Sequence, residues 1–129
     1  MLRVVRLGTP RHAREGLRLG TVRRLPRGVR KEDYARRDFF DLWLPELAPT
    51  DKLFKLAVSS DLSDRKKWAR FSKSYETEMK QPSQQRLLAL LALLSSETDL
   101  SVGCYCEDEG KCHRSILKKL LAARGARVA

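Results

Sequence analysis

The segment from Thr98 to Gly125, "TDLSVGCYCEDEGKCHRSILKKLLAARG", constrains the fold of this chain more than any other stretch. Residues 98–106 predict a β-strand, and "EDEGK" predicts a turn. The helix predicted next ends at Gly125, which fits the position just past a helix. Its apolar residues, Ile116, Leu117, Leu120 and Leu121, share one face. A strand that passes through a tight loop into an amphipathic helix is typical of layered α/β domains.

The rest of the chain adds two strands ahead of this unit. Residues 3–7 ("RVVRL") and 17–25 ("LRLGTVRRL") carry β-prone or alternating patterns. "PRG" at 26–28 turns the chain, and "ARV" at 126–128 is expected to form a last short strand. Residues 1–129 are therefore expected to form a single α/β domain, with a small, mostly parallel sheet flanked by helices.

The middle of the chain predicts helices. A helical turn is expected near residues 32–37, and Thr50 or Asp51 can cap a short helix. Pro82 ends the clearest amphipathic helix, and Ser83 can cap the next one, which is apolar nearly all round and is expected to be deeply buried. The stripe of the amphipathic helix consists of Trp68, Phe71, Tyr75 and Met79.

Length, hydropathy and cysteine content limit the class of protein and the cellular location that we expect. A chain of 129 residues can bury a core without disulfides or metal. It has no apolar run long enough for a membrane span, and its first residues do not resemble a secretory signal. Its three cysteines are an odd number in one cluster, so we expect reduced thiols and a cytoplasmic location, with no membrane partner.

Positive charge is concentrated at the start of the chain. The formal net charge is +11, and residues 1–37 hold 12 Lys/Arg against 3 Asp/Glu. Arginine suits phosphate and carboxylate partners, so a polyanion or a phosphorylated ligand is one interpretation. The other is a solvated basic surface whose arginines pair with the later acids. The pattern leaves both open.

The start of the last helix is a candidate anion site. Ligands of open α/β sheets lie beyond the carboxyl ends of the strands, where a helix N-terminus offers free amides and partial positive charge. The same field would raise the thiolate fraction of a cysteine. The residues placed there are Lys111, Cys112, His113, Arg114 and Ser115, and Arg24 and Arg27 near the end of the second strand could add charge.

Several chemistries compete for these residues. The C-x-C-x5-C-H spacing differs from the usual zinc patterns, so no metal and no cofactor is expected. Seven residues separate Cys106 from Arg114 in the sequence. This is too many for the phosphate-binding loop of a cysteine-dependent phosphatase, in which backbone amides surround the phosphate between the cysteine and the arginine. A nucleophilic Cys106 or Cys112 remains, with His113 as base or proton donor. Structural roles compete: Cys104 as a core residue, His113 as a packing residue, and Glu107, Asp108 and Glu109 as partners for the cations.

The motif "GCYCEDEGKCHRSIL" resembles the C-terminal segment of the domain-of-unknown-function 488 family. "RLPRG" (24–28), "LWLPELAPT" (42–50) and the "WARFSKSYETEM" helix, with Trp68, Phe71, Tyr75 and Glu78, are similar to further family segments, in the same order. The chain departs at Arg23–Leu25, where many relatives carry an acid and a tryptophan. The resemblance implies a single α/β domain and no particular reaction.

Two functions are consistent with these observations. In the first, the Cys/His/Arg loop binds a phosphorylated or other anionic ligand, such as a nucleotide or a nucleic-acid end, with or without thiol-dependent chemistry. In the second, the arginine-rich first third is a non-catalytic module that binds nucleic acid or an acidic protein. The sequence leaves open the oligomeric state and whether any reaction is catalysed.

Overall fold

The computed structural model describes all residues, 1–129, and contains one four-stranded parallel sheet. Its strands are β1 (Leu2–Arg6), β2 (Leu17–Gly20), β3 (Leu42–Trp43) and β4 (Leu100–Cys104), in the order β1-β4-β2-β3. The helices are α1 (Asp51–Val58), α2 (Arg65–Glu78), α3 (Pro82–Glu97) and α4 (His113–Ala123), and short 3₁₀ turns occupy Lys31–Asp33, Pro45–Leu47 and Glu109–Lys111. The expected α/β class is confirmed. None of the helices has the length and apolar character that crossing a membrane would require.

The four helices share one core with one face of the sheet. Successive strand residues point to opposite faces, so Leu100 and Val102 of β4 and Leu2 of β1 face the same side. Tyr75 of α2 and Leu117 of α4 are fully buried against them. The predicted stripe of α2 is confirmed, because Phe71, Tyr75 and Met79 are buried and Trp68 packs at the edge of the core.

Irregular segments cover the other face of the sheet. Arg18 of β2 is fully buried there and pairs with Glu15, with Nε 2.5 Å from Oε1. Its guanidinium also donates to the carbonyl oxygens of Thr9 and Asp38, so it joins the two segments that lead into β2 and β3. A buried ion pair needs such extra hydrogen bonds to compensate its desolvation.

Several boundaries differ from the sequence-based expectations. The strand expected at 17–25 ends at Gly20, which pairs with Gly103, one residue before the end of β4. The helical turn expected near 32–37 is the 3₁₀ turn Lys31–Asp33. The expected last strand reduces to one bridge between Leu2 and Val128.

Helix α3 differs most from its prediction. Gln81 is its N-cap and Pro82 its first residue, so Ser83 is not the cap. Although Leu88 and Leu91 are buried, Leu90 and Leu93 are 50% and 70% exposed. The expectation of a deeply buried helix was therefore wrong for one side of α3.

Candidate functional site

A pocket of about 190 Å³ lies at the carboxyl edge of the sheet, between the ends of β2 and β4, helix α1 and the start of α4. Parallel strands point their carboxyl ends to one edge, which is where ligands of open α/β sheets bind. One wall is apolar and includes Phe54, Val58 and Leu62. The remaining wall carries the three cysteines and His113.

The three cysteines come from different positions and converge. Cys104 is the last residue of β4, Cys106 lies in the following loop, and Cys112 is the N-cap of α4. Their sulfur atoms all lie within 4.8 Å of one another, and the Sγ atoms of Cys104 and Cys106 are 3.7 Å apart. Cys104 and Cys112 are buried, whereas Cys106 is exposed. Cys106 is therefore the most accessible of the three cysteines.

The cluster concentrates negative charge on Cys106. Hydrogen bonds from the thiols of Cys104 and Cys112 hold the pKa of Cys106 well below its usual value, and the nearby charge of Arg114 acts in the same direction. The hydrogen bond to Cys106 raises the pKa of Cys104 to about 11, and interactions with both other cysteines raise the pKa of Cys112. Cys106 is therefore the thiol of the cluster that ionises first, with Cys104 and Cys112 remaining protonated.

His113 fixes the start of α4 to the end of β2. Its Nε2 atom lies 2.6 Å from the carbonyl oxygen of Thr21, and a carbonyl only accepts, so Nε2 carries the proton. Burial lowers the pKa of His113 to about 4, which makes the ring neutral at pH 7. The lone pair of Nδ1 then lies 3.7 Å from the Cys112 sulfur. Nδ1 therefore faces the cysteine cluster as a hydrogen-bond acceptor and has no proton to donate.

Arg114 is a buried cation without a carboxylate partner. It is 4% exposed, and its Nη2 atom donates to the carbonyl oxygen of Cys106 at 2.8 Å. Its Nε atom is buried with no acceptor. A buried charge requires a compensating charge, and Cys106 in its ionised form is a negative group within the electrostatic reach of Arg114, which lowers the pKa of Cys106. The acids Glu107, Asp108 and Glu109 leave Arg114 unpaired and pair instead with Arg6, Lys111 and Lys118.

The pocket gathers some of the sequence-predicted residues and not others. Arg24 and Lys111 line it, together with Cys106, Cys112 and His113. The Arg24 guanidinium lies 5.1 Å from the centre of the Phe54 ring and pairs with Asp51.

Three of the predicted ligand-binding residues do not line the pocket. Arg27 is exposed outside it, Arg114 is buried behind the loop, and the Ser115 hydroxyl donates to the carbonyl oxygen of Cys112 at 2.9 Å. Arg114 and Ser115 support the loop and do not face the pocket.

Sequence reasoning missed the apolar wall of the pocket. The pattern of α1 predicts a helix, but nothing local shows that Phe54 and Val58 face the cysteines across the pocket. Tyr105 was also missed, although its hydroxyl donates to the carbonyl oxygen of Arg24 at 2.9 Å and so ties the cysteine loop to the segment after β2.

The three sulfur atoms are close enough together to hold one thiophilic metal ion. Thiolates bind zinc at about 2.3 Å, which requires sulfur atoms roughly 4 Å apart. The spacing of the cysteines in the sequence did not indicate this convergence. A metal ion at this cluster would take one lone pair of the Cys106 sulfur and lower its nucleophilicity.

The fold and the pocket define a parallel α/β domain with a thiol cluster at the carboxyl edge of its sheet. A family model, DUF488-N3a, described as "Active DUF488-N3 subclade", matches residues 2–125. The chain therefore belongs to the domain-of-unknown-function 488 family. No curated protein and no solved structure matches it.

Proposed function

We propose that the pocket binds a phosphorylated ligand with an apolar group, such as a nucleotide, and brings it against the Cys106 thiolate. One observation carries the proposal: three cysteines meet at a pocket, only one of them is exposed, and cationic side chains line the same pocket. The combination supplies binding and reactivity at one place.

The two walls of the pocket suit the two parts of such a ligand. Phe54, Val58 and Leu62 offer apolar and aromatic surface to a base-like group, while Arg24 and Lys111 offer charge to a phosphate. Arg24 and its partner Asp51 are about half exposed, at 52% and 48%, so a phosphate can replace the carboxylate at little cost.

The reactive group is the Cys106 thiolate. In a nucleophilic step, Sγ donates an electron pair to the electrophilic atom of the bound ligand. The bond to the leaving group breaks, and that group departs with the bonding pair and takes a proton from water. Hydrolysis of the Cys106 adduct returns the thiolate. The buried Arg114 compensates the negative charge of the thiolate before the step.

Binding is tested with adenosine monophosphate and inorganic phosphate in calorimetric titrations. We expect Arg24→Gln and Lys111→Gln each to weaken nucleotide binding about tenfold, the size of a charge-assisted hydrogen bond. Arg27→Gln removes the same charge outside the pocket and serves as the matched control. Equal losses for Arg24→Gln and Arg27→Gln would contradict a pocket site and indicate general attraction to a basic surface.

Reactivity is tested with iodoacetamide at neutral pH in chelator-treated protein. We expect one cysteine to react faster than free cysteine, the Cys106→Ser variant to lose this fast reaction, and adenosine monophosphate to slow it. A uniformly slow reaction alongside intact nucleotide binding would leave a binding pocket and remove the nucleophilic step.

The alternative, in which the arginine-rich first third binds a polyanion, has less support. Several of these arginines are engaged within the chain, where Arg11 pairs with Asp41, Arg18 with Glu15 and Arg36 with Asp33. A polyanion module would bind single-stranded nucleic acid with a steep salt dependence that Arg24→Gln and Arg27→Gln reduce equally.

A further inference from the structure

Helix α3 carries a row of exposed leucines that its own chain does not cover. Leu90, Leu93 and Leu94 are 50%, 70% and 37% exposed, on the side of α3 opposite its buried residues. They do not line the cysteine pocket. Single exposed leucines are normal, but neighbouring ones on one helix face form a patch that typically contacts another molecule.

The charges at the two ends of this row are complementary. Arg86 lies one turn before Leu90, and Glu97 lies one turn after Leu93. The spacing 86, 90, 93, 97 keeps all four on one stripe of the helix. Both charged residues are exposed, and neither forms an ion pair within its own chain. The stripe therefore has a basic end, an apolar centre and an acidic end.

We propose that α3 packs antiparallel against α3 of a second copy of this chain, around a two-fold axis at the midpoint between Leu91 and Ala92. The sequence is self-complementary about that point. Arg86 meets Glu97 of the second copy, and Leu90 meets its Leu93. Each contact occurs twice, as an isologous interface requires.

The same stripe disfavours the parallel alternative. In a parallel pair, Arg86 would face Arg86 and Glu97 would face Glu97, and like charges opposite each other are unfavourable. A stripe with spacings of four and three residues is the one that packs helices at about 20°. The strong positive charge of the protein does not oppose the contact locally, because Arg86 and Glu97 balance on α3 while most of the excess lies in residues 1–37.

The oligomeric state in solution tests this inference by sedimentation equilibrium of the full chain over a range of concentrations. We expect the wild-type chain to reach the mass of a dimer. Leu93→Glu should be monomeric throughout. Leu56→Glu alters a leucine of α1 with similar exposure, 55%, and should dimerise as the wild type does. Circular dichroism checks that both variants keep their fold.

A charge exchange tests the antiparallel register. Arg86→Glu and Glu97→Arg should each weaken the dimer several-fold, and the double variant should recover wild-type affinity, because it exchanges the two partners of each pair. A monomeric wild type at its highest soluble concentration would overturn the proposal. A Leu93→Glu variant that still dimerises would also overturn it. So would a double variant that dimerises as weakly as the two single charge variants.

Discussion

The Nε2 atom of His113 lies 2.6 Å from the carbonyl oxygen of Thr21, which joins the first residue of α4 to the residue that follows β2. The bond spans both sides of the pocket, because Thr21 leads into Val22 and Arg23 and His113 follows Cys112. The geometry of the cysteine loop therefore depends on a neutral, buried imidazole. This dependence has a consequence for stability.

Stability should decrease on acidification between pH 6.5 and 4. The unfolded chain binds a proton at His113 near pH 6.5, whereas burial lowers the pKa of the folded state to about 4. The unfolded state therefore binds more protons within this window, and stability present above pH 6.5 is lost as the pH falls towards 4. The shift in the pKa of His113 from 6.5 to about 4 corresponds to a total decrease of about 3 kcal/mol in the free energy of unfolding.

Urea unfolding of the wild type and of His113→Asn at pH 7 and pH 5 measures this loss. The asparagine side chain does not titrate, so the variant should show a smaller pH dependence of the free energy of unfolding than the wild type. His12→Asn changes the exposed histidine and should retain the wild-type dependence. Identical pH profiles for His113→Asn and the wild type would contradict the assignment.

The thiols of Cys104 and Cys112 should control the reactivity of Cys106. Replacing either by alanine removes a hydrogen-bond donor from the thiolate, so the pKa of Cys106 should rise. The iodoacetamide rate of the wild type should stay nearly constant from pH 8 down to pH 5. In Cys104→Ala the rate should fall on acidification, as it does for an ordinary thiol. A wild-type rate that already falls tenfold per pH unit below 8 would show that Cys106 is an ordinary thiol.

The buried pair Glu15–Arg18 should be far more sensitive than a surface pair of the same spacing. Glu15→Gln leaves the Arg18 guanidinium buried without its countercharge, which costs about 3 kcal/mol or more. Arg36→Gln removes the corresponding i,i+3 pair with Asp33, in which Arg36 is 73% exposed, and should cost less than about 1 kcal/mol. Urea denaturation at pH 7 compares the two, and similar losses would refute the distinction.

Two glycines with positive φ should respond differently to alanine. Gly16 (φ 67°) and Gly28 (φ 70°) share a left-handed backbone, so both substitutions cost roughly 1–2 kcal/mol of strain. At Gly16 the added Cβ would also overlap the carbonyl group of Asp99, whereas nothing lies within 4 Å at Gly28. Gly16→Ala should therefore lower the thermal midpoint much more than Gly28→Ala. Equal midpoints would show that the backbone at Gly16 can shift.

The sequence predicted the parts of the fold that local patterns control. The strand before Cys104, the stripe of α2 and the helix after Cys112 follow from periodicity and capping, which act over a few residues. The short β3 was missed because Leu42 and Trp43 sit inside an apolar patch and pair only with Leu19 and Gly20. The exposed side of α3 was missed because its composition does not show which leucines lack a partner.

The part of the site that local sequence patterns control was also predicted. The sequence placed Cys112 and His113 at the start of α4, because strand, loop and helix follow one another there. It did not show that Cys104 and Cys106 approach Cys112, since that depends on how the loop folds back. It also grouped Arg114 with the pocket cations, because charge can be read from a sequence while burial of a single arginine cannot.

The position of β4 between β1 and β2 has a consequence for how the protein forms. β1 and β2 do not pair with each other, so neither has its main neighbour until a strand about a hundred residues after β1 is available. During synthesis, the first two strands must wait for nearly the whole chain to leave the ribosome. The segment that completes the sheet also brings the cysteines into place, so a partly made chain has neither the sheet nor the reactive thiol.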